Sequence, residues 1–144
     1  MRILSPIPDT VASSPVVPAK CDVVIVGAGI AGASTALALA RHGVPTVLCE
    51  KGIVAGEQSS RNWGWVRKML RDPRELPLML ESMRHWEGFS KSLGAETGFR
   101  RSGIAYLCTT PADIGRYENW LEQVQSFGLD SRLISGPEID AVLP

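Results

Sequence analysis

The chain has 144 residues, with 15 basic side chains against 15 acidic ones and a hydrophobic fraction of 44%. So even a balance gives no footing for nucleic acid or an anionic membrane, and no run is long and apolar enough to span a bilayer. Cys21, Cys49 and Cys108 lie far apart, fit neither a disulfide framework nor a metal-ligand spacing, and read as buried or half-buried thiols in a reducing, cytoplasmic setting.

Residues 1–20 hold four prolines and few large side chains, which predicts an extended or disordered leader. From Val23 to Val26 a β-branched run predicts a strand buried on both faces of a parallel sheet. Ile30 to His42 is rich in Ala and Leu and predicts a helix closed by Gly43, and Thr46 to Cys49 predicts a second strand. This is a right-handed βαβ unit. A polar loop follows, and then the cluster Arg61, Asn62, Trp63, Gly64, Trp65. Asp72, Pro73 and Glu75 form a capping-box pattern ahead of a helix expected to run to about Ser92, with Pro77 placed to delay its first turn. Residues 98–101 and 103–108 predict a hairpin, Thr110 and Pro111 open a further helix closed by Gly128, and residues 132–134 predict a short strand.

The chemistry is concentrated at the first turn. Gly27 permits a tight exit from the strand, Gly29 lets backbone approach a pyrophosphate without a Cβ in the way, and Gly32 lets helix and strand pack closely. The N–H groups near Ile30 and Ala31 open the helix, whose positive end suits phosphate oxygens. Glu50, 18 residues beyond Gly32, ends the second strand where a carboxylate accepts both hydroxyls of an adenosine ribose, which favours an unphosphorylated ribose over NADP. Lys51 sits beside it. The expectation is a dinucleotide site, and the βαβ unit alone leaves FAD and NAD both open.

The segment Gln58, Ser59, Ser60, Arg61, Asn62, Trp63, Gly64 resembles the loop and helix start that follow the ribose-binding acid in the D-amino-acid oxidase and dehydrogenase superfamily of flavoproteins, which includes glycine and sarcosine oxidases. The resemblance continues through the long helix and the residues 100–107. It implies FAD as cofactor, Ser59 and Ser60 at the pyrophosphate, and Arg61, Asn62, Trp63 and Gly64 passing beside the flavin ring. It implies an α/β fold in which a Rossmann-like FAD-binding βαβ unit, residues 21–72, leads into part of an α+β substrate domain, residues 73–144. It also implies oxidation of a C–N bond in an amino acid or secondary amine by hydride transfer to flavin. Arg61 or Arg67 would then face reduced flavin or a substrate carboxylate, with a surface ion pair as the competing role. Members of the superfamily are considerably longer, so the chain reads as an N-terminal portion, incomplete relative to the family and expected to be inactive alone. The alternatives are an NAD-dependent dehydrogenase, a flavoprotein acting on 2-hydroxy acids, and a non-catalytic nucleotide-binding remnant.

Overall fold

The computed structural model describes residues 8–142, so Met1 to Ile7 of the expected leader and the last two residues of the chain lie outside the described residues. Two compact units are present, one ending at Trp65 and the other beginning at Val66.

In the first unit, residues 8–20 form no helix or strand and are mostly exposed. Strand β1, Val23–Val26, pairs in parallel with β2, Thr46–Cys49, so that Val23 lies opposite Thr46 and Val26 opposite Cys49. Between them runs helix α1, Ile30–Arg41, which ends as expected with Gly43 in the left-handed region at φ 70°. Burial differs from the sequence expectation. Val24 is 58% exposed and Val26 88%, whereas Val23 and Ile25 are half-buried. The sheet has only two strands, and the side chains that alternate to the face carrying Val24 and Val26 find no cover among the described residues. Cys49, expected as a buried thiol, is exposed for the same reason, while Cys21 and Cys108 are half-buried.

After β2 the chain turns through residues 51–57 into α2, Gln58–Arg61, a single turn of helix. Asn62 closes it: its Nδ2 donates to the carbonyls of Gln58 and Ser59, and its Oδ1 accepts from Gly64 N–H. Gly64 has φ 71°, a conformation that disfavours any side chain.

The second unit is built on two longer helices, α3, Leu76–Leu93, and α4, Pro111–Gln123. Its core gathers Leu76, Trp120 and Val124, with Met69, Leu70, Leu121, Phe127 and Leu129 packed around them. Trp120 is buried with its indole N–H donating to the Arg71 carbonyl at 2.8 Å, so its one polar atom is satisfied. Residues Gln125–Phe127 add a 3-10 turn, Gly128 follows at φ 60°, and a short helix α5, Pro137–Val142, comes last.

Three local expectations are corrected. Asp72 accepts from Arg74 N–H and caps a 3-10 turn, Pro73–Glu75, rather than forming a reciprocal box with Glu75; α3 starts only at Leu76, with Pro77 inside its first turn. Residues 98–108 form no hairpin. Gly98 and Gly103 bend the chain at φ 73° and 80°, and the Phe99 carbonyl, which a ladder would use, accepts from Arg100 Nη1. Residues 132–134 form no strand either, because strand structure requires pairing and no described segment pairs with them.

Candidate functional site

The exit of β1 is organised by three glycines with three different constraints. Gly27 has φ 97°. A Cβ on Gly29 would come within 3.0 Å of Ser59 Oγ, and one on Gly32 would come within 1.9 Å of the Gly27 carbonyl oxygen and 3.3 Å of Ile25 Cγ2. The Gly32 contact is with backbone, which no side-chain rotation relieves. These tasks follow the order expected for a strand–turn–helix that admits a nucleotide.

Glu50 is drawn to this turn by two backbone donors. Ala28 N–H donates to its Oε2 at 2.8 Å and Gly52 N–H to its Oε1 at 2.9 Å. The Ala28 bond, then the Gly52 bond, hold the carboxyl below the usual carboxylate range, so it stands ionised. Both oxygens keep acceptor capacity. The loop after Glu50 is tied to the same turn, with Ala55 N–H donating to the Ala28 carbonyl at 2.9 Å and Ala55 itself in the left-handed region at φ 59°.

Helix α1 opens on Gly29, which offers no capping side chain. Its cap comes from elsewhere in the chain: the Ile30 N–H donates to Ser59 Oγ at 2.8 Å. Ala31 and Gly32 complete the first turn. Ser60 Oγ donates to the Glu57 carbonyl, while Glu57 is held between Lys51 Nζ at 3.4 Å and Arg61 Nη1 at 3.1 Å.

A groove of about 550 Å³ lies along these atoms. Of the sequence-predicted residues, Gly27, Gly29, Glu50, Lys51 and Ser59 line it. Ile30, Ala31 and Gly32 form the helix turn next to it, and Ser60, Arg61, Asn62, Trp63 and Gly64 continue from α2 without lining it. Trp63 and Trp65 pack edge to face at 5.2 Å and are 77% and 55% exposed. Sequence reasoning missed Val26 and Cys49, at the ends of the two strands, and Ala55, Gly56, Glu57 and Gln58 as lining residues, although the position of the last four just before Ser59 is a usable signal. Among the described residues no group of three or more His, Cys, Asp or Glu side chains is arranged to hold a metal, and no helix is long and apolar enough to cross a membrane.

A parallel β-α-β start with this turn and a carboxylate at the end of its second strand defines the class as a Rossmann-like dinucleotide-binding unit. The chain belongs to the DAO family of FAD dependent oxidoreductases, whose family model matches residues 22–144. Among solved structures it is similar to an L-amino acid deaminase from Proteus vulgaris, with a TM-score of 0.82 and 30% identity, over 92% of this chain and 32% of that one. The form of that protein with its specific insertion sequence deleted matches with a TM-score of 0.82 and 31% identity, over 91% of this chain and 36% of that one. The L-amino acid deaminase from Proteus myxofaciens, solved in complex with anthranilate, matches with a TM-score of 0.77 and 28% identity, over 96% of this chain and 32% of that one. The chain thus spans about a third of the length of these neighbours. Comparison with curated proteins returns no match.

Proposed function

We propose that this chain supplies the adenosine and pyrophosphate half of an FAD site in an oxidoreductase acting on the C–N bond of an amino acid or secondary amine. The observation that carries the reading is the ionised Glu50 carboxylate, fixed by Ala28 and Gly52 beside a groove lined by Gly27, Gly29 and Ser59. The FAD-dependent family favours flavin over nicotinamide, and the amino acid deaminase neighbours favour an amino acid over a 2-hydroxy acid.

The residues fit the group. Gly29 leaves open the space beside Ser59 that a Cβ would fill. Glu50 would accept from the two ribose hydroxyls with its remaining acceptor capacity, and Lys51 would stand at the adenosine end. The Ser59 hydroxyl already accepts from Ile30 N–H, so its own proton would be free to go to a phosphate oxygen, with the positive end of α1, Ala31 and Gly32 in the same turn, behind it. Ser60 sits with Ser59 at the pyrophosphate. Arg61, Asn62, Trp63 and Gly64 carry the chain along the ring system, with Asn62 fixing the exit and Gly64 permitting close approach. Residues 21–72 are assigned to the cofactor domain and residues 73–144 to the start of the substrate domain. Flavin held at this site would supply the hydride acceptor for the carbon next to nitrogen, and the imine product would hydrolyse in water.

The test is anaerobic addition of amino acids, N-methyl amino acids and 2-hydroxy acids to the flavin-loaded protein that carries this segment. Bleaching of the flavin absorption by an amino acid or its N-methyl form, and not by hydroxy acids, is expected. The reverse preference, or absence of flavin from the purified protein, overturns the reading.

A further inference from the structure

The groove beside the first turn is lined, among the described residues, by the charged side chains Glu50, Lys51 and Glu57. Glu50 is engaged by the N–H groups of Ala28 and Gly52. Lys51, the cation of the set, is already paired: its Nζ lies 3.4 Å from Glu57 Oε1. The other oxygen of Glu57, Oε2, holds Arg61 Nη1 at 3.1 Å, one helical turn further along the chain. A single carboxylate thus takes up both the lysine that lines the groove and the arginine at the end of α2.

This leaves no uncommitted cation among the described residues that line the groove. The donors that remain for an anion are neutral: the Ser59 hydroxyl and the first-turn N–H groups of α1, which have no acceptor within the helix. Such donors suit a pyrophosphate esterified at both ends, in which each phosphate carries one charge. A nucleoside diphosphate or triphosphate ends instead in a free phosphate, which takes on a second negative charge near neutral pH. That added charge calls for a lysine or arginine. Glu57 withdraws the two at hand and contributes a repulsion of its own.

We propose that Glu57 is a specificity-determining residue of the groove, selecting pyrophosphate diesters over nucleotides that end in a free phosphate. This rests on the dinucleotide site proposed above and deepens it by assigning which nucleotides that site admits. It depends neither on the flavin ring nor on the amino-acid substrate. The side chains of Lys51, Glu57 and Arg61 are each more than half exposed, so solvent screens the effect and holds it to severalfold.

The experiment uses the 144-residue chain without flavin and follows the backbone amide resonances of residues 27–32 by NMR in magnesium-free buffer. Three ligands share adenosine and two phosphates and differ beyond them: ADP-ribose is closed by a second ester, ADP ends in a free phosphate, and ATP carries one phosphate more. Wild type should bind ADP-ribose most tightly and ATP least. Glu57→Gln removes the charge and keeps the backbone carbonyl that accepts from Ser60. It should tighten ATP binding about fivefold and leave ADP-ribose within about twofold. Adding Lys51→Gln to that variant takes away one of the released cations and should reverse most of the gain. ATP bound by wild type as tightly as ADP-ribose, or unchanged discrimination in Glu57→Gln, overturns the role of Glu57 and leaves the dinucleotide site standing. Failure of ADP-ribose to bind wild type overturns the site and this role with it. A gain in ATP binding that survives the loss of Lys51 overturns the withdrawal of that lysine as its cause.

Discussion

Gly32 is the residue whose replacement the structure tolerates least, because its neighbour is a carbonyl oxygen of the very turn it supports. Gly32→Ala places a Cβ 1.9 Å from the Gly27 oxygen and should destabilise the chain by about 2–3 kcal/mol in urea unfolding. Gly88 and Gly115 are the contrast. Both lie in helix interiors with nothing within 4 Å of an added Cβ, so alanine at either position should stabilise by about 0.5–1 kcal/mol in the same measurement. Gly29→Val should abolish flavin binding while leaving the helical signal intact, since its added methyls enter the space beside Ser59; full flavin occupancy in that variant would count against the placement of the site. The glycines and Glu50 were legible in the sequence because glycine spacing and an acid at a strand end report backbone geometry directly. Ala55 was not legible. Nothing in an alanine announces a left-handed φ, which here follows from the Ala28 hydrogen bond across the turn.

At the scale of elements, two similar capping patterns have different outcomes. Thr110 accepts from Asp113 N–H at 3.1 Å while Asp113 reaches back to the Thr110 N–H at 3.0 Å, a complete box. At Asp72 the same sequence logic yields a 3-10 turn, because Pro77 cannot donate in the helix it would join. Thr110→Ala should therefore cost about 1 kcal/mol, measured by thermal unfolding. In the loops, Asp130 binds Lys68 at 2.6 Å and Arg101 at 2.8 Å, and these two bonds, Lys68 first, hold its carboxyl down to about 2. A depressed carboxyl stabilises the fold above its unfolded value near 4 and loses that contribution as pH falls towards 2. Wild type should lose its stability advantage over Asp130→Asn across that window and retain it at neutral pH. The three longer helices and both strands of the βαβ unit were legible from periodicity, helix-forming composition and β-branched runs. The supposed hairpin was not, since apolar alternation within residues 103–108 cannot reveal whether a partner strand is present.

For the molecule as a whole, burial is uneven. Val124 is 1% exposed in the second unit, whereas Val26 is 88% exposed in the first. Val124→Ala should cost about 2–3 kcal/mol through the cavity it leaves, and Val26→Thr should stay within about 0.5 kcal/mol of wild type while lowering the binding of a hydrophobic dye. The continuous apolar run of β1 signalled a fully enclosed strand, and the described residues enclose one face of it. Composition reports what a segment is suited to contact and carries no record of whether that contact is made within the same 144 residues.

The exposed thiol at the end of β2 turns this geometry into a reporter. Cys49 lines the groove directly before Glu50, while the other two cysteines are half-buried. Alkylation should thus mark Cys49 first, and on the proposed reading ADP or FAD in the groove should slow that reaction in proportion to occupancy. On that reading the chain would carry its own gauge of groove occupancy, readable by mass spectrometry with no engineered label.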